Sequence, residues 1–154
     1  MGTTTASAPP DGDLHARAAM LLAAHGQKYT TARRAMVAVL AAMPHPATIA
    51  EVLIASPDLA ASTTYRNVTV LREAGIVTRV SGADEFGRFE LTEELAGPHH
   101  HHVTCTNCGL VLDAQSSASL EAALNDSIRD LMKAAGYEIT GHRLELVGRC
   151  ASCR

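Results

Sequence analysis

Aromatic residues are nearly missing from this chain: three Tyr, two Phe and no Trp among 154 residues. A core of stacked rings is excluded, so the interior must be assembled mainly from Ala, Leu and Val within a hydrophobic content of 47%. No apolar run approaches the length of about 18 residues that suggests a membrane-spanning helix, so no membrane partner is expected. The lead from Met1 to Asp13 carries Pro9-Pro10 and lacks the apolar segment of a secretory signal, and it reads as disordered. Strong positive charge is lacking too. The net charge of −3 excludes a generally basic coat for nucleic acid. From Lys28 to Arg88 seven cations face five acids, a local balance of +2, so any DNA contact must come from placed residues in a dimer. The four cysteines are paired: Cys105 with Cys108, and Cys150 with Cys153. With no secretory signal the expected compartment is the cytoplasm, where such pairs are better metal ligands than disulfides.

The first half carries helical periodicity. Leu14, Ala18, Leu21 and Leu22 share a face of a helix over 13–25 that Gly26 can end. Thr30 or Thr31 caps a second helix reaching about Met43, where Pro44-His45-Pro46 breaks it. Thr48 caps a third helix over 49–55, and Ser62 or Thr63 starts a fourth that ends before Gly75. Alternating segments 76–81 and 88–92, joined by a polar turn with Gly82 and Gly87, read as a hairpin. Helices followed by a hairpin give the order of a winged helix-turn-helix. Gly97-Pro98 marks a hinge, and the remainder reads strand, strand (110–113), helix (119–135), strand (142–147). The expected fold is therefore α+β, with a disordered lead over 1–13, a winged-helix DNA-binding domain over 14–95 and an α/β dimerisation and metal-binding domain over 96–154. So small an α/β unit gains from a metal or a partner chain.

Three constellations carry chemistry. Each Cys-x-x-Cys turn can place two thiolates on one metal, and two turns complete a closed tetrahedron, which makes a structural zinc site; unpaired thiols or a redox pair are the alternatives. The gap between the pairs exceeds the roughly 15–20 residues of a simple zinc ribbon, leaving room for a helix and a strand. In the run His99-His100-His101-His102, strand alternation sets His100 and His102 on one face and His99 and His101 on the other, enough to feed two metal sites. The plainer reading is an exposed His-rich loop. Ser62-Thr63-Thr64-Tyr65-Arg66-Asn67 stands at a helix start after a turn, where a recognition helix presents base- and phosphate-contacting groups; ordinary N-capping with a solvated Tyr-Arg pair competes with it.

Taken together, Tyr29-Thr30-Thr31-Ala32-Arg33-Arg34, His45-Pro46, Thr63-Thr64-Tyr65-Arg66-Asn67-Val68, Gly75-Ile76-Val77, Phe89-Glu90-Leu91, the His run joined to Cys105 and Cys108-Gly109, His142, and Cys150 with Cys153 resemble the ferric uptake regulator family, its zinc- and peroxide-sensing branches included. The resemblance runs from about residue 14 to the end. It implies a homodimeric transcriptional repressor that binds a double-stranded DNA operator in response to a divalent metal. It implies structural Zn²⁺ on Cys105, Cys108, Cys150 and Cys153. It implies a regulatory metal site of His45, Glu90, His100, His102 and Asp113, and a third metal site of His99, His101, Glu121 and His142. DNA contacts would fall to Lys28, Arg33, Ser62, Thr63, Thr64, Tyr65, Arg66 and Asn67. This chain departs from the family pattern in three places: a shorter segment between His45 and Tyr65, Ala32 where Gln is usual, and two extra residues between Leu91 and His99. The last leaves Glu90, Glu93 and Glu94 as rival carboxylate ligands.

With all four Cys committed, the sensing ligands are N and O donors, which suit Fe²⁺, Mn²⁺ or Zn²⁺; zinc sensors often add a Cys absent here, which puts Fe²⁺ ahead of Zn²⁺. A zinc uptake regulator and a Mn/Fe peroxide-sensing regulator are the alternatives within the family. No small-molecule substrate and no catalysis are expected. A metal-dependent hydrolase, the alternative of a different class, would need an open coordination position, a cleft and a base such as Glu93 or Glu94.

Overall fold

The computed structural model describes residues 11–80 and 87–154. Most of the disordered-lead reading (residues 1–10) and the expected turn at Gly82 lie outside the described residues.

The chain begins with α1 (Asp11–Ala24), so residues 11–13, read as part of the lead, are helical; Asp13 puts negative charge in the first turn, where the helix dipole favours it. In α2 (Thr31–Ala42) the Thr30 hydroxyl caps the Arg33 amide, and in α3 (Ile49–Ala55) Thr48 and Glu51 close a reciprocal capping box. The fourth helix, α4 (Ala61–Glu73), starts one residue before the expected Ser62. Its cap position, Ala60, has no side-chain bond to offer; instead both the amide and the hydroxyl of Thr64 donate to the Ala60 carbonyl, at 2.9 and 3.0 Å.

Two strands of the wing, β2 (Val77–Val80) and β3 (Arg88–Leu91), pair antiparallel as the alternation predicts. A two-residue strand β1 (Ala47–Thr48), too short to show a period in the sequence, completes the order β1-β3-β2. A one-turn helix α5 (Glu93–Ala96) follows. Its Leu95 is fully buried, and Arg17 of α1 donates to the Glu94 carbonyl. Gly97, at φ +129°, ends it.

Among the described residues, the main hydrophobic cluster lies within this first unit, and the second unit adds buried Cys105 and Val111. Leu14 and Leu22 of α1, Met36, Val37 and Leu40 of α2, and Val68 and Leu71 of α4 meet Ile76, Phe89, Leu91 and Leu95.

The second unit has β4 (His101–Cys105), β5 (Val111–Ala114), α6 (Ala118–Ala135) and β6 (Glu145–Gly148), in the sheet order β5-β4-β6. β4 and β5 are antiparallel; β4 and β6 are parallel, and α6 lies in the crossover between β5 and β6. β6 starts three residues later than expected, so His142 sits on the approach to the strand. A single 3-10 turn, Ala151–Cys153, closes the chain. This unit has little interior: α6 buries none of its residues, and Val103, Leu112 and Leu146, which register side by side across the sheet, are exposed.

Candidate metal centres

Register and alternation build three ligand clusters at and beyond the junction of the two units. Among the described residues, each brings four ligand atoms within 4.8 Å of one another.

The first joins Cys105, Cys108, Cys150 and Cys153. β4 delivers Cys105, the turn at Gly109 (φ +70°) brings Cys108 back, and β6 returns the chain end alongside β4. All four are free thiols, and the Cys108 and Cys150 Sγ atoms are 3.8 Å apart, far beyond a disulfide. The edge of a tetrahedron with Zn–S arms of about 2.3 Å is also about 3.8 Å, so the set fits zinc. The amides of Cys150, at 3.3 Å, then of Cys108 and Asn107, point at the Cys105 sulfur and hold its thiol down to about 6. At Cys108 the Leu110 amide pulls the other way, but the crowding by Cys105, Cys153 and Cys150 wins and pushes it up to about 11. A cation among the four sulfurs would favour the ionised forms that this crowding opposes.

The second cluster is Glu90, His100, His102 and Asp113. Glu90 comes from β3 in the winged-helix sheet; the others come from β4, its approach, and β5. Register sets Asp113 directly across from His102. His102 Nε2 lies 3.0 Å and His100 Nε2 3.4 Å from the same Glu90 oxygen, and His102 Nε2 is 3.8 Å from Asp113. Burial alone would raise the Glu90 carboxyl, but hydrogen bonds from His100 and His102 outweigh it and leave it below the ordinary range. Its bond to Glu90 raises His100 to about 9. Burial raises Asp113. Two imidazoles and two carboxylates facing one point suit a hard or borderline divalent cation. The Pro98 carbonyl, 3.3 Å from His100 Nδ1, fixes the tautomer that turns Nε2 toward that point.

The third cluster is His99, His101, Glu121 and His142. His101 Nε2 is 2.7 Å from Glu121, His142 Nε2 is 3.2 Å from the other Glu121 oxygen, and His99 Nε2 faces His142 Nε2 at 3.2 Å. A bond from the Ser116 hydroxyl, then one from His101, hold Glu121 down to about 2, so it stays a carboxylate.

Two carboxylate rivals are separated by this geometry. Glu90 faces the His100/His102 set, whereas Glu93 accepts from His99 Nδ1 at 2.6 Å. Glu94 bonds Arg17 only through its backbone carbonyl among the described contacts. His45 is not brought into the second cluster. Its Nδ1 is engaged with the Pro46 carbonyl at 3.2 Å.

The recognition segment divides by helical period. Ser62, Tyr65 (61% exposed) and Arg66 look outward with Lys28, and Thr63 is half-buried. Thr64 and Asn67, expected to face DNA, are buried at 0% and 8% exposure, because positions 64, 67, 68 and 71 form the inward stripe of α4. Half-buried Arg33 is committed inside the protein: its Nε donates to Asn67 Oδ1 at 3.1 Å and its Nη1 to the Lys28 carbonyl at 2.6 Å. A capping pattern gives no phase for a helix, so Thr64 and Asn67 both read as DNA-facing in the sequence.

A winged helix followed by a small α/β unit, with three four-ligand clusters at and beyond their junction, defines a metal-binding class of winged-helix protein. The family model of the ferric uptake regulator family matches residues 24–147, and the chain belongs to that family. It is 33% identical over 106 residues to the ferric uptake regulation protein of Campylobacter jejuni, a match covering 67% of this chain and 62% of that protein. The chain thus spans under two thirds of that curated relative's length. A zinc-bound manganese uptake regulator superposes with a TM-score of 0.62 at 26% identity, over 86% of this chain and 98% of the other. The ferric uptake regulator Fur of Helicobacter pylori, described as having three functional metal binding sites, shares the fold with a TM-score of 0.77 at 18% identity over 97% of each chain.

Proposed function

We propose that this chain is a homodimeric, metal-dependent transcriptional repressor that binds operator DNA, with the winged helix (14–95) reading DNA and the α/β unit (96–154) dimerising. The observation that carries the reading is Glu90: a carboxylate of the winged-helix sheet accepts from both His100 and His102 of the other unit. A divalent cation there supplies positive charge shared by ligands from both units. The residues do the rest: Glu90 ties the wing to β4, Asp113 completes the charge, and His45, outside the cluster here, is the further ligand a closed arrangement recruits. Cation and operator then favour one arrangement of the two winged helices, and each strengthens the other's binding.

The four cysteines hold structural zinc, which staples the chain end to β4. The His99 cluster is a third metal site. The partner chain is a second copy, seated on the apolar surface that this chain leaves uncovered: Leu120 and Leu131 of α6 and the row Val103, Leu112, Leu146. Ser62, Tyr65 and Arg66 face the operator, with Lys28 on the backbone.

The N and O donors of the sensing set suit Fe²⁺, Zn²⁺ and Mn²⁺ alike, and the absence of the additional Cys that zinc sensors often recruit favours Fe²⁺ slightly; the zinc-bound manganese uptake regulator keeps the other two in play. A repressor rather than a hydrolase is favoured because Glu93, a candidate base, is already bound to His99. The test is a titration of one duplex, selected from random sequence by the metal-loaded protein, with Fe²⁺, Mn²⁺, Zn²⁺ and Ni²⁺ in parallel under anaerobic conditions. Metal-strengthened binding with Fe²⁺ the most effective supports the reading, and binding that ignores every metal contradicts it.

A further inference from the structure

Glu93 stands on the winged-helix side of the hinge and holds a ligand on the other side. Its helix, α5, is fastened to the first unit: Leu95 is part of that unit's core, and Arg17 of α1 donates to the Glu94 carbonyl. The chain then breaks at Gly97 (φ +129°) and Pro98. Across that break, His99 Nδ1 donates to Glu93 Oε1 at 2.6 Å. The bond fixes the tautomer, with the proton on Nδ1 and the Nε2 lone pair turned toward His142 Nε2 at 3.2 Å and Glu121 Oε2 at 4.0 Å. A carboxylate behind a ligating imidazole orients the ring and raises its basicity. Glu90, Glu93, His99, His100 and His142 also line one cavity of about 390 Å³, so the second and third clusters open onto the same interdomain cleft.

We propose that Glu93 is a positioning residue for the His99 cluster, and that through it a divalent cation held by His99, His101, Glu121 and His142 acts on the winged helix across the Gly97-Pro98 break. This rests on the reading of that cluster as a metal site. It makes the third site a second hinge lock rather than a support internal to the α/β unit. The linkage runs both ways: the arrangement that seats Glu93 against His99 is the one with the higher metal affinity.

The test uses the full-length, zinc-loaded chain carrying His100→Ala and His102→Ala, which leaves the His99 cluster as the remaining His site. Cobalt affinity is measured from its visible absorption in competition with a chelator, and amide exchange is followed over residues 92–97. Glu93→Ala weakens cobalt binding by about 10- to 100-fold, toward the lower figure because Glu93 is half exposed. Glu93→Gln, which keeps an acceptor oxygen, recovers part of the loss and serves alone if the alanine variant fails to fold. Cobalt slows exchange at residues 92–97 in the parent and not in cobalt-saturated Glu93→Ala. Unchanged affinity, or slowing that persists without the Glu93 carboxylate, overturns the role of Glu93. A parent chain that takes up no cobalt overturns the metal reading of the cluster and this inference with it.

Discussion

Metal entering the Glu90/His100/His102/Asp113 set must displace a proton, and the structure says from where. Bonded to Glu90, His100 titrates at about 9 rather than at its ordinary 6.5. At pH 7.5 it is therefore almost fully protonated, and ligation requires the neutral ring. With the His99 cluster disabled by His142→Ala, binding of Mn²⁺ should release close to one proton from this site. Affinity should rise by about tenfold per pH unit well below 9, flattening as 9 is approached, or about 24-fold between pH 7 and 8.5. The sign of the stability effect in the metal-free protein is opposite. A histidine raised above its unfolded value contributes stability fully present below about 6.5 and lost as pH climbs through about 9. Calorimetric titration in two buffers of different ionisation enthalpy counts the proton, and repetition across pH gives the slope. An affinity flat from pH 7 to 8.5, with buffer-independent heats, would refute the geometry of a His100–Glu90 pair displaced by metal.

Other perturbations separate the remaining roles. Cys150→Ser should lose zinc and loosen the dimer, because the chain end is stapled to β4 through these sulfurs; unchanged zinc content by atomic absorption together with an unchanged sedimentation profile would count against the staple. Leu131→Glu puts a charge into the uncovered apolar face of α6 and should raise the dimer dissociation constant at least about 100-fold, as several kcal/mol for a desolvated unpaired charge requires, read by analytical ultracentrifugation. Arg66→Ala should cost about 1–3 kcal/mol of operator binding with little change in melting temperature. Thr64→Val should do the reverse, losing about 1 kcal/mol of stability with the bond to Ala60 while the DNA-facing surface stays intact. Equal effects of the two on DNA binding would contradict the division of α4 into faces.

Much of this site was legible because β-strand alternation is a hard geometric rule. His100 and His102 had to share a face, and the matching Cys-x-x-Cys spacings had to meet if a strand returned beside β4. Helix starts were legible where a hydroxyl caps, as at Thr30 and Thr48, and slipped by a residue at Ala60, whose cap has no side chain to announce it. Three things were not legible. Two-residue β1 and one-turn α5 are shorter than any period, and tertiary contacts alone create them: pairing with β3 for one, burial of Leu95 for the other. The inward turn of Thr64 and Asn67 depends on the exact phase of α4 against the core, which a capping pattern does not fix. The partnership of Glu93 with His99 depends on how the chain folds back at Gly97-Pro98, a long way from any repeat.

The central claim, that metal at the Glu90/His100/His102/Asp113 set controls DNA binding, is tested most directly by fluorescence anisotropy of the selected duplex with the His100→Ala/His102→Ala protein, with and without metal. A coupling of about 1–3 kcal/mol corresponds to a metal response of about 5- to 150-fold in the parent. The account predicts a folded, zinc-containing dimer that has lost most of its metal response, with any remainder coming from the intact His99 cluster; a double variant that keeps the full response would contradict it.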